Sequence, residues 1–301
     1  MKPLYLKYLF LLLSNILLLS CNSVGGSGSV SNTFLDKGTS VTFNSTTATA
    51  HREYDAYENA KGTDQSTHQN PYDQINLYKA YGYGYSGEGK QIAILDNRFD
   101  TNHYVYQSKT VSSYGTLDAD TTGSYHGNSV SGVAAGYLDT SYSGSVVMHG
   151  VAYDANLHLS DYTNKGSEDY YPEHWANALD DASSAVAQNN SWGFTNTVYD
   201  SSTSYTSTSI ATEASNNGFT ANATSIDSYV TSLNNFQDHG VIVFAVSNTF
   251  ALSDVDLAVA LPDIYSQLDE SWINVINVDI TGSSGSETYT RKSAPCGSTA
   301  A

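Results

Sequence analysis

The feature that most constrains this chain is Gly87-Glu88-Gly89-Lys90 followed by Gln91-Ile92-Ala93-Ile94-Leu95-Asp96. The apolar run Ile92 to Leu95 is too brief for a helix and does not alternate with polar residues. It therefore reads as a strand buried on both faces, which requires a sheet covered by helices on both sides. The strand ends in Asp96. In open α/β sheets, ligands and reacting groups gather beyond the carboxyl ends of the strands, so a carboxylate there is a candidate for chemistry. Gly84 to Lys90 also satisfies the first seven positions of a phosphate-cradling loop, but Gln91 stands where Ser or Thr would bind magnesium. That loop would also have to follow a strand and open a helix, whereas this one precedes a strand, which argues against nucleotide binding.

The start of the chain reads as targeting rather than fold. Lys2 and Lys7 precede an apolar run from Tyr8 to Leu19, broken only by Ser14 and Asn15, and Leu18-Leu19-Ser20-Cys21 resembles a bacterial lipobox. Residues 1–20 are expected to be a signal peptide of the lipoprotein type, the run being short for a membrane span. The expectation is export, with a lipid on Cys21 anchoring the protein to a membrane at the cell surface or in the periplasm. Residues 21–70 read as a tether and N-terminal extension, Asn22 to about Ala50 being rich in Ser, Thr, Gly and Asn and residues 51–70 polar and charged with little periodicity. Residues 71–301 read as the folded domain. Cys21 and Cys296 are the two cysteines, so Cys296 is an odd thiol in an exported protein. No CxxC or His-rich cluster supports a zinc site. No cofactor is expected, and calcium is left open. A net charge of −18 disfavours nucleic acid and anionic membrane surfaces as partners.

Along the chain, Ile75, Leu77, Tyr78 and Ala80 suggest a short helix within residues 72–85. His126-Gly127 opens a second helix, with Val130, Val133 and Ala134 on one face and small residues at Gly132, Ala134, Ala135 and Gly136. Residues 156–160 read as a strand, 173–187 as a helix, and 199–222 as an aperiodic surface excursion. Ile226, Tyr229, Val230 and Leu233 space as an amphipathic helix that Gly240 ends. Val241 to Val246 reads as a buried strand delivering Ser247 and Asn248, and residues 271–279 as another. Strands alternating with helices argue a mainly parallel sheet with helices on both faces.

Asp96, His126 and Asn248 thus stand at strand ends or helix starts. A carboxylate paired with an imidazole can fix its tautomer and stabilise the imidazolium while the other ring nitrogen takes a proton from a hydroxyl. An Asn amide can stabilise an oxyanion. At these residues the sequence resembles the subtilisin-like serine peptidases, especially exported bacterial forms with a C-terminal autotransporter barrel. Gly87 to Arg98 looks like the family block G-x-G-x-x-[VI]-A-[VI]-[IL]-D-[TS]-G, and His126 to Gly132 like H-G-T-x-V-A-G. Gly150 to Ala155 looks like G-V-A-x-x-A, Asn189 to Gly193 matches N-N-S-W-G, and Gly240 to Asn248 looks like G-V-x-V-x-A-x-G-N.

The resemblance implies a three-layer subtilisin-like α/β fold and an endopeptidase acting on protein or peptide substrates. It casts Asp96 as the orienting acid, His126 as the general base and Asn248 as the oxyanion donor. Ser191, Trp192, Gly193, Val246 and Ser247 would line the bound substrate. The sequence departs from the pattern at Asn97-Arg98 for Thr-Gly, at Asn128 for Thr and at Ser247 for Gly. The small residues should keep the turns, and a cation at Arg98 is harmless to an orienting aspartate. The nucleophile block G-T-S-x-A-x-P has no counterpart: Gly297-Ser298-Thr299 transposes its Ser and Thr, and no Pro follows. The sequence is read as lacking the C-terminal part of the domain, with Cys296 paired in related chains to a cysteine further on. Two functions follow: a surface-tethered serine endopeptidase, or a non-catalytic lipoprotein that keeps the peptidase fold. His103, His149, His158 and His239 are expected to be ordinary surface or loop residues. The oligomeric state is not legible.

Overall fold

The structure is a computed structural model that describes residues 29–30, 41–42, 71–118, 125–137, 149–163, 171–194, 198–283 and 285–294. The expected signal peptide, Cys21, most of the tether, Cys296 and Ser298 lie outside these residues. The centre is a six-stranded parallel sheet of β1 (Gln91–Asp96), β2 (Val111–Tyr114), β3 (Asn156–Asp161), β4 (Ala185–Asn190), β5 (Val241–Ala245) and β6 (Trp272–Val275). Its order in space is β2-β3-β1-β4-β5-β6, so the central β1 pairs with β3 on one side and β4 on the other. The chain leaves β1 towards β2 and β3, then returns to build outward from β4. This reversal opens a crevice between the carboxyl ends of β1 and β4, where such sheets place their ligands.

Burial of β1 on both faces is realised residue by residue. Ala93 and Leu95 join one core cluster with Trp175, Leu179, Tyr229 and Phe244, while Ile94 joins another with Phe99, Leu157 and Leu159. The first cluster lies under α3 (Pro172–Asp181) and α5 (Ala223–Gln237), and the second under α2 (His126–Ala135). The expected three layers are therefore present, with helices on both faces of a parallel sheet.

Several elements differ from the sequence reading. The first helix breaks into a turn at Pro71–Gln74 and α1 (Leu77–Gly82), because Asn76 between them takes a left-handed φ of 54°. The helix expected over 173–187 stops at Asp181, and Ala185 to Ala187 belong to β4. Its Gln188 and Asn190 are buried, so β4 lacks the apolar run that marks an interior strand. Within the expected excursion 199–222 runs α4 (Ser207–Asn216), which buries Ile210, Ala211 and Ala214. Thr206 and Ser209 form a capping box there, each side chain meeting the other's backbone N–H. Asn222 and Ser225 do the same for α5. The strand expected over 271–279 ends at Val275, and β7 (Val278–Ser283) instead pairs antiparallel with β8 (Ser286–Arg291). Gly240 does not end α5 by a left-handed turn; a Cβ on it would lie 2.4 Å from the Phe236 ring, so its role is close approach.

On α2 the buried residues are Gly127, Asn128, Ser131 and Ala135, whereas Val133 is exposed. The small and polar side faces the sheet because the backbone comes in closely. A Cβ on Gly127 would lie 2.5 Å from the Phe99 ring and 2.8 Å from the Asn97 carbonyl oxygen. At the far end of α2, the backbone N–H groups of Gly150, Val151 and Ala152 donate to the carbonyls of Gly136, Val133 and Ala134. The carbonyls that a helix end leaves without partners are thus satisfied by another segment of chain.

Candidate active site

The carboxyl end of β1 and the start of α2 bring two titratable side chains into contact. Asp96 is fully buried, and its Oδ1 lies 2.6 Å from His126 Nδ1. The Asn97 backbone N–H donates to the same oxygen at 2.7 Å. A carboxylate can only accept, so Nδ1 carries the proton and Nε2 of the neutral ring keeps its lone pair. Gly127 N donates to the Asn97 carbonyl at 2.7 Å, which ties the first turn of α2 to the end of β1 and sets the pair's spacing. The imidazole is 52% exposed, so its other edge faces solvent.

The hydrogen bond to Asp96 raises the His126 pKa above its ordinary 6.5, against the opposing pulls of burial and of the Arg98 cation. The charged ring is thus favoured in the folded chain. Its stabilisation is fully present below pH 6.5 and is lost as the pH rises through the raised value.

The loop after Asp96 is fixed by a second buried carboxylate, Asp161, at the end of β3 and in register with Asp96. Its Oδ1 accepts from Thr163 N and Oγ1, and its Oδ2 from the backbone N–H groups of Asp118 and Arg98. Burial pushes this carboxyl above the usual range, and the four hydrogen bonds pull it back. Arg98 sits at φ 64°, in the left-handed region that the family pattern assigns to Gly. The turn therefore survives the substitution, at a cost of roughly 1 kcal/mol for a non-glycine residue there. Asn128, in place of Thr, accepts from Asp100 N and from the Tyr106 hydroxyl, so it also fastens this loop to α2.

Beside the pair opens a cleft of about 540 Å3, lined by Asn97, Arg98, His126, Tyr162, Ser191, Trp192, Gly193, Asn217, Gly218 and Phe219. It lies at the crevice between β1 and β4. The Tyr162 hydroxyl accepts from Asn97 Nδ2 at 2.7 Å, and its ring packs on Trp192. Trp192 rests in turn on the fully buried Trp175, their centroids 4.4 Å apart. Gly193 is held against the buried carboxyl of Asp256, which a Cβ would approach to within 2.8 Å. Asp256 Oδ1 accepts from the N–H groups of Phe194 and Ala258, and burial pushes its pKa up to about 6.

The structure thus brings Asp96, His126, Ser191, Trp192 and Gly193 to one place. Val246, Ser247 and Asn248 follow β5, the strand beside β4, but do not line this cleft. Val246 is buried in the core, the Ser247 carbonyl accepts from Ala294 N, and Asn248 is exposed. The sequence reading missed Tyr162, Asn217, Gly218 and Phe219; the last three end or follow the unrecognised α4. It also missed Asp161 and Asp256.

Of the histidines expected to be ordinary surface or loop residues, His149 lies in a loop but is buried, and His158 is a buried strand residue, each 2% exposed. His149 is packed by the rings of Tyr81 and Tyr153. His158, on β3, lies 2.9 Å from Ser112 Oγ through Nδ1, with an Asp181 carboxylate oxygen 3.6 Å from Nε2. That distance is beyond a hydrogen bond, and the grouping lies away from the cleft. Among the described residues, no three His, Cys, Asp or Glu gather as metal ligands.

Residues 87–297 match the model of the subtilase family of peptidases. No curated protein matches the sequence. Among solved structures, the protease domain of PatA is 17% identical with a TM-score of 0.43, over 64% of this chain and 59% of that one. Fervidolysin from Fervidobacterium pennivorans, a keratinolytic enzyme related to subtilisin, is 17% identical with a TM-score of 0.47, over 73% of this chain and 28% of that one. The chain spans less than two thirds of the length of either. Since the family match takes in the parallel sheet, the Asp96–His126 pair and the cleft beside it, this chain belongs to the subtilase family.

Proposed function

We propose that this chain is a serine endopeptidase of the subtilisin type, using Asp96, His126 and a serine hydroxyl, with Asn248 as oxyanion donor. The observation that carries the reading is the 2.6 Å contact of a buried carboxylate with a half-exposed imidazole at the edge of an open cleft. Asp96 holds Nδ1–H, and the Nε2 lone pair takes the proton of the hydroxyl as its oxygen adds to the peptide carbonyl carbon. Asn248, exposed after β5 and outside the cleft's lining, would have to turn inward for its amide to meet the oxyanion so formed. The imidazolium gives its proton to the departing amine, and water repeats the sequence to release the acid. Ser191 to Gly193, which line the cleft, would hold the substrate extended by backbone hydrogen bonds.

Export, a lipid on Cys21, membrane attachment and kinship with the autotransporter-type subtilases belong to the same proposal, supported by the sequence around residues 1–21 and by the motif blocks. A second reading, a non-catalytic protein that keeps the fold, is favoured by one observation. Among the described residues, no serine hydroxyl hydrogen-bonds His126. A fluorophosphonate probe on the full chain, with the labelled residue mapped by mass spectrometry, separates the two. The peptidase reading expects one labelled serine, with labelling slowed at least about 10³-fold in His126→Ala. A folded chain that takes no label, or label that persists in His126→Ala, overturns it.

A further inference from the structure

The loop that carries Asn248 is gripped from outside the cleft. Residues 292–294, which follow β8, form the fixed side of this grip. Lys292 N donates to the Asn277 carbonyl and Asn277 N to Ser293 Oγ, and Ser293 and Ala294 are buried. Two contacts reach from here to the loop. Ala294 N donates at 2.8 Å to the carbonyl of Ser247, the residue just before Asn248. The Arg291 guanidinium lies over the ring of Phe250, two residues beyond Asn248, at 4.4 Å from its centroid. Arg291 is itself anchored, because Nη1 donates to the Ser293 carbonyl. Burial does little to hold the Phe250 ring, which is 56% exposed, so the cation on its face is the contact that places it. Between the two contacts Asn248 stays exposed and outside the lining of the cleft.

We propose that Arg291 is a positioning residue for the oxyanion donor, acting as a clasp: while it holds Phe250 the loop keeps Asn248 outside the cleft, and when the contact opens the loop turns the Asn248 amide inward. The inference rests on the peptidase reading above and concerns the regulation of that same site. The bond from Ala294 N to the Ser247 carbonyl is the pivot, since it ties the start of the loop to the buried segment whichever way Asn248 faces. A cation over an exposed ring is a weak contact, so the clasp biases a population rather than locking it. Removing it should shift the balance between the two positions of the loop by about two- to fivefold. Lysine keeps a positive charge near the ring but loses the flat stacking surface and the fixed fork that reaches the Ser293 carbonyl.

The test compares the full wild-type chain with Arg291→Gln, Arg291→Lys, Phe250→Ala and the Arg291→Gln/Phe250→Ala double variant in peptide hydrolysis. Each of Arg291→Gln and Phe250→Ala should raise kcat about two- to fivefold with KM unchanged, because the oxyanion forms only after substrate has bound. The double variant should gain no more than either single one, since both remove the same contact, and Arg291→Lys should fall between wild type and Arg291→Gln. A second readout needs no turnover: in NMR spectra a soluble gadolinium chelate should relax the Asn248 side-chain amide less in Arg291→Gln than in wild type. A kcat that is unchanged or lowered in the single variants, gains that add in the double variant, or equal relaxation of Asn248 in wild type and Arg291→Gln overturns the clasp and leaves the peptidase reading standing. No hydrolysis by any of the chains overturns the reading on which the clasp rests.

Discussion

Replacing Asp96 by Asn is expected, on the peptidase function proposed above, to lower peptide hydrolysis by about four orders of magnitude while leaving the chain folded. The isosteric amide keeps the shape of the buried site, and its oxygen can still accept from Asn97 N. It loses the negative charge that holds the proton on Nδ1 and stabilises the imidazolium. An amide offers a donor as well as an acceptor, so the wrong tautomer, with Nε2 protonated, becomes available and cannot serve as base. The pH profile carries a second signature. In the unaltered chain the proposed activity should rise with pH through the raised His126 pKa, because only the neutral ring can take the hydroxyl proton. Without the carboxylate that rise moves to lower pH. Turnover of a general peptide substrate against pH, with thermal unfolding as the folding control, measures both. A loss under tenfold would remove Asp96 from the orienting role.

Gly150→Ala is expected to be the most damaging single-methyl change in the described part of the domain. The added Cβ would lie 2.2 Å from Gly136 N, 2.3 Å from Ala135 Cα and 2.4 Å from the Ala135 carbonyl carbon, all of them backbone atoms. No rotamer change relieves such contacts. The segment from Gly150 to Ala152 would have to withdraw and give up its three hydrogen bonds to the carbonyls ending α2. Overpacking of an ordinary core costs about 1–3 kcal/mol; here, with backbone displaced and carbonyls unsatisfied, a loss above about 3 kcal/mol is expected. Against a typical net stability of ~5–15 kcal/mol this shifts the denaturant midpoint markedly. Because α2 carries His126, the loss should be accompanied by loss of the Asp96–His126 contact. An unchanged midpoint would mean that α2 is not docked this way.

The legible parts of the molecule were those in which a short stretch of sequence carries its own reason. Ile92 to Asp96 announces a central strand because burial on both faces leaves no polar alternation. Gly127 and Gly150 fall in recognisable blocks, and the structure gives the physical cause, since neither position has room for a Cβ. What stayed hidden depends on tertiary surroundings. The start of β4 reads as helix because Gln188 and Asn190 are polar yet buried, and the neighbouring strands that bury them are distant in sequence. The helix α4 is masked by its Ser and Thr content, although Thr206 and Ser209 at cap spacing and the small core face of Ile210, Ala211 and Ala214 were available signals. Tyr162 and Phe219 join the cleft only because separate strands and helices converge there. Asp161 could have been suspected as a strand-ending Asp before Thr163, an arrangement in which the carboxylate accepts from the backbone two residues on. Nothing local marks Asp256.

The account turns on a charged pairing between Asp96 and His126 at the mouth of the cleft, and NMR titration of the His126 ring in the full chain tests it most directly. The predicted result is a pKa above 6.5 that falls when Asp96 is replaced by Asn and rises further when Arg98 is replaced by Gly. A pKa at or below 6.5 that does not respond to Asp96→Asn would contradict it.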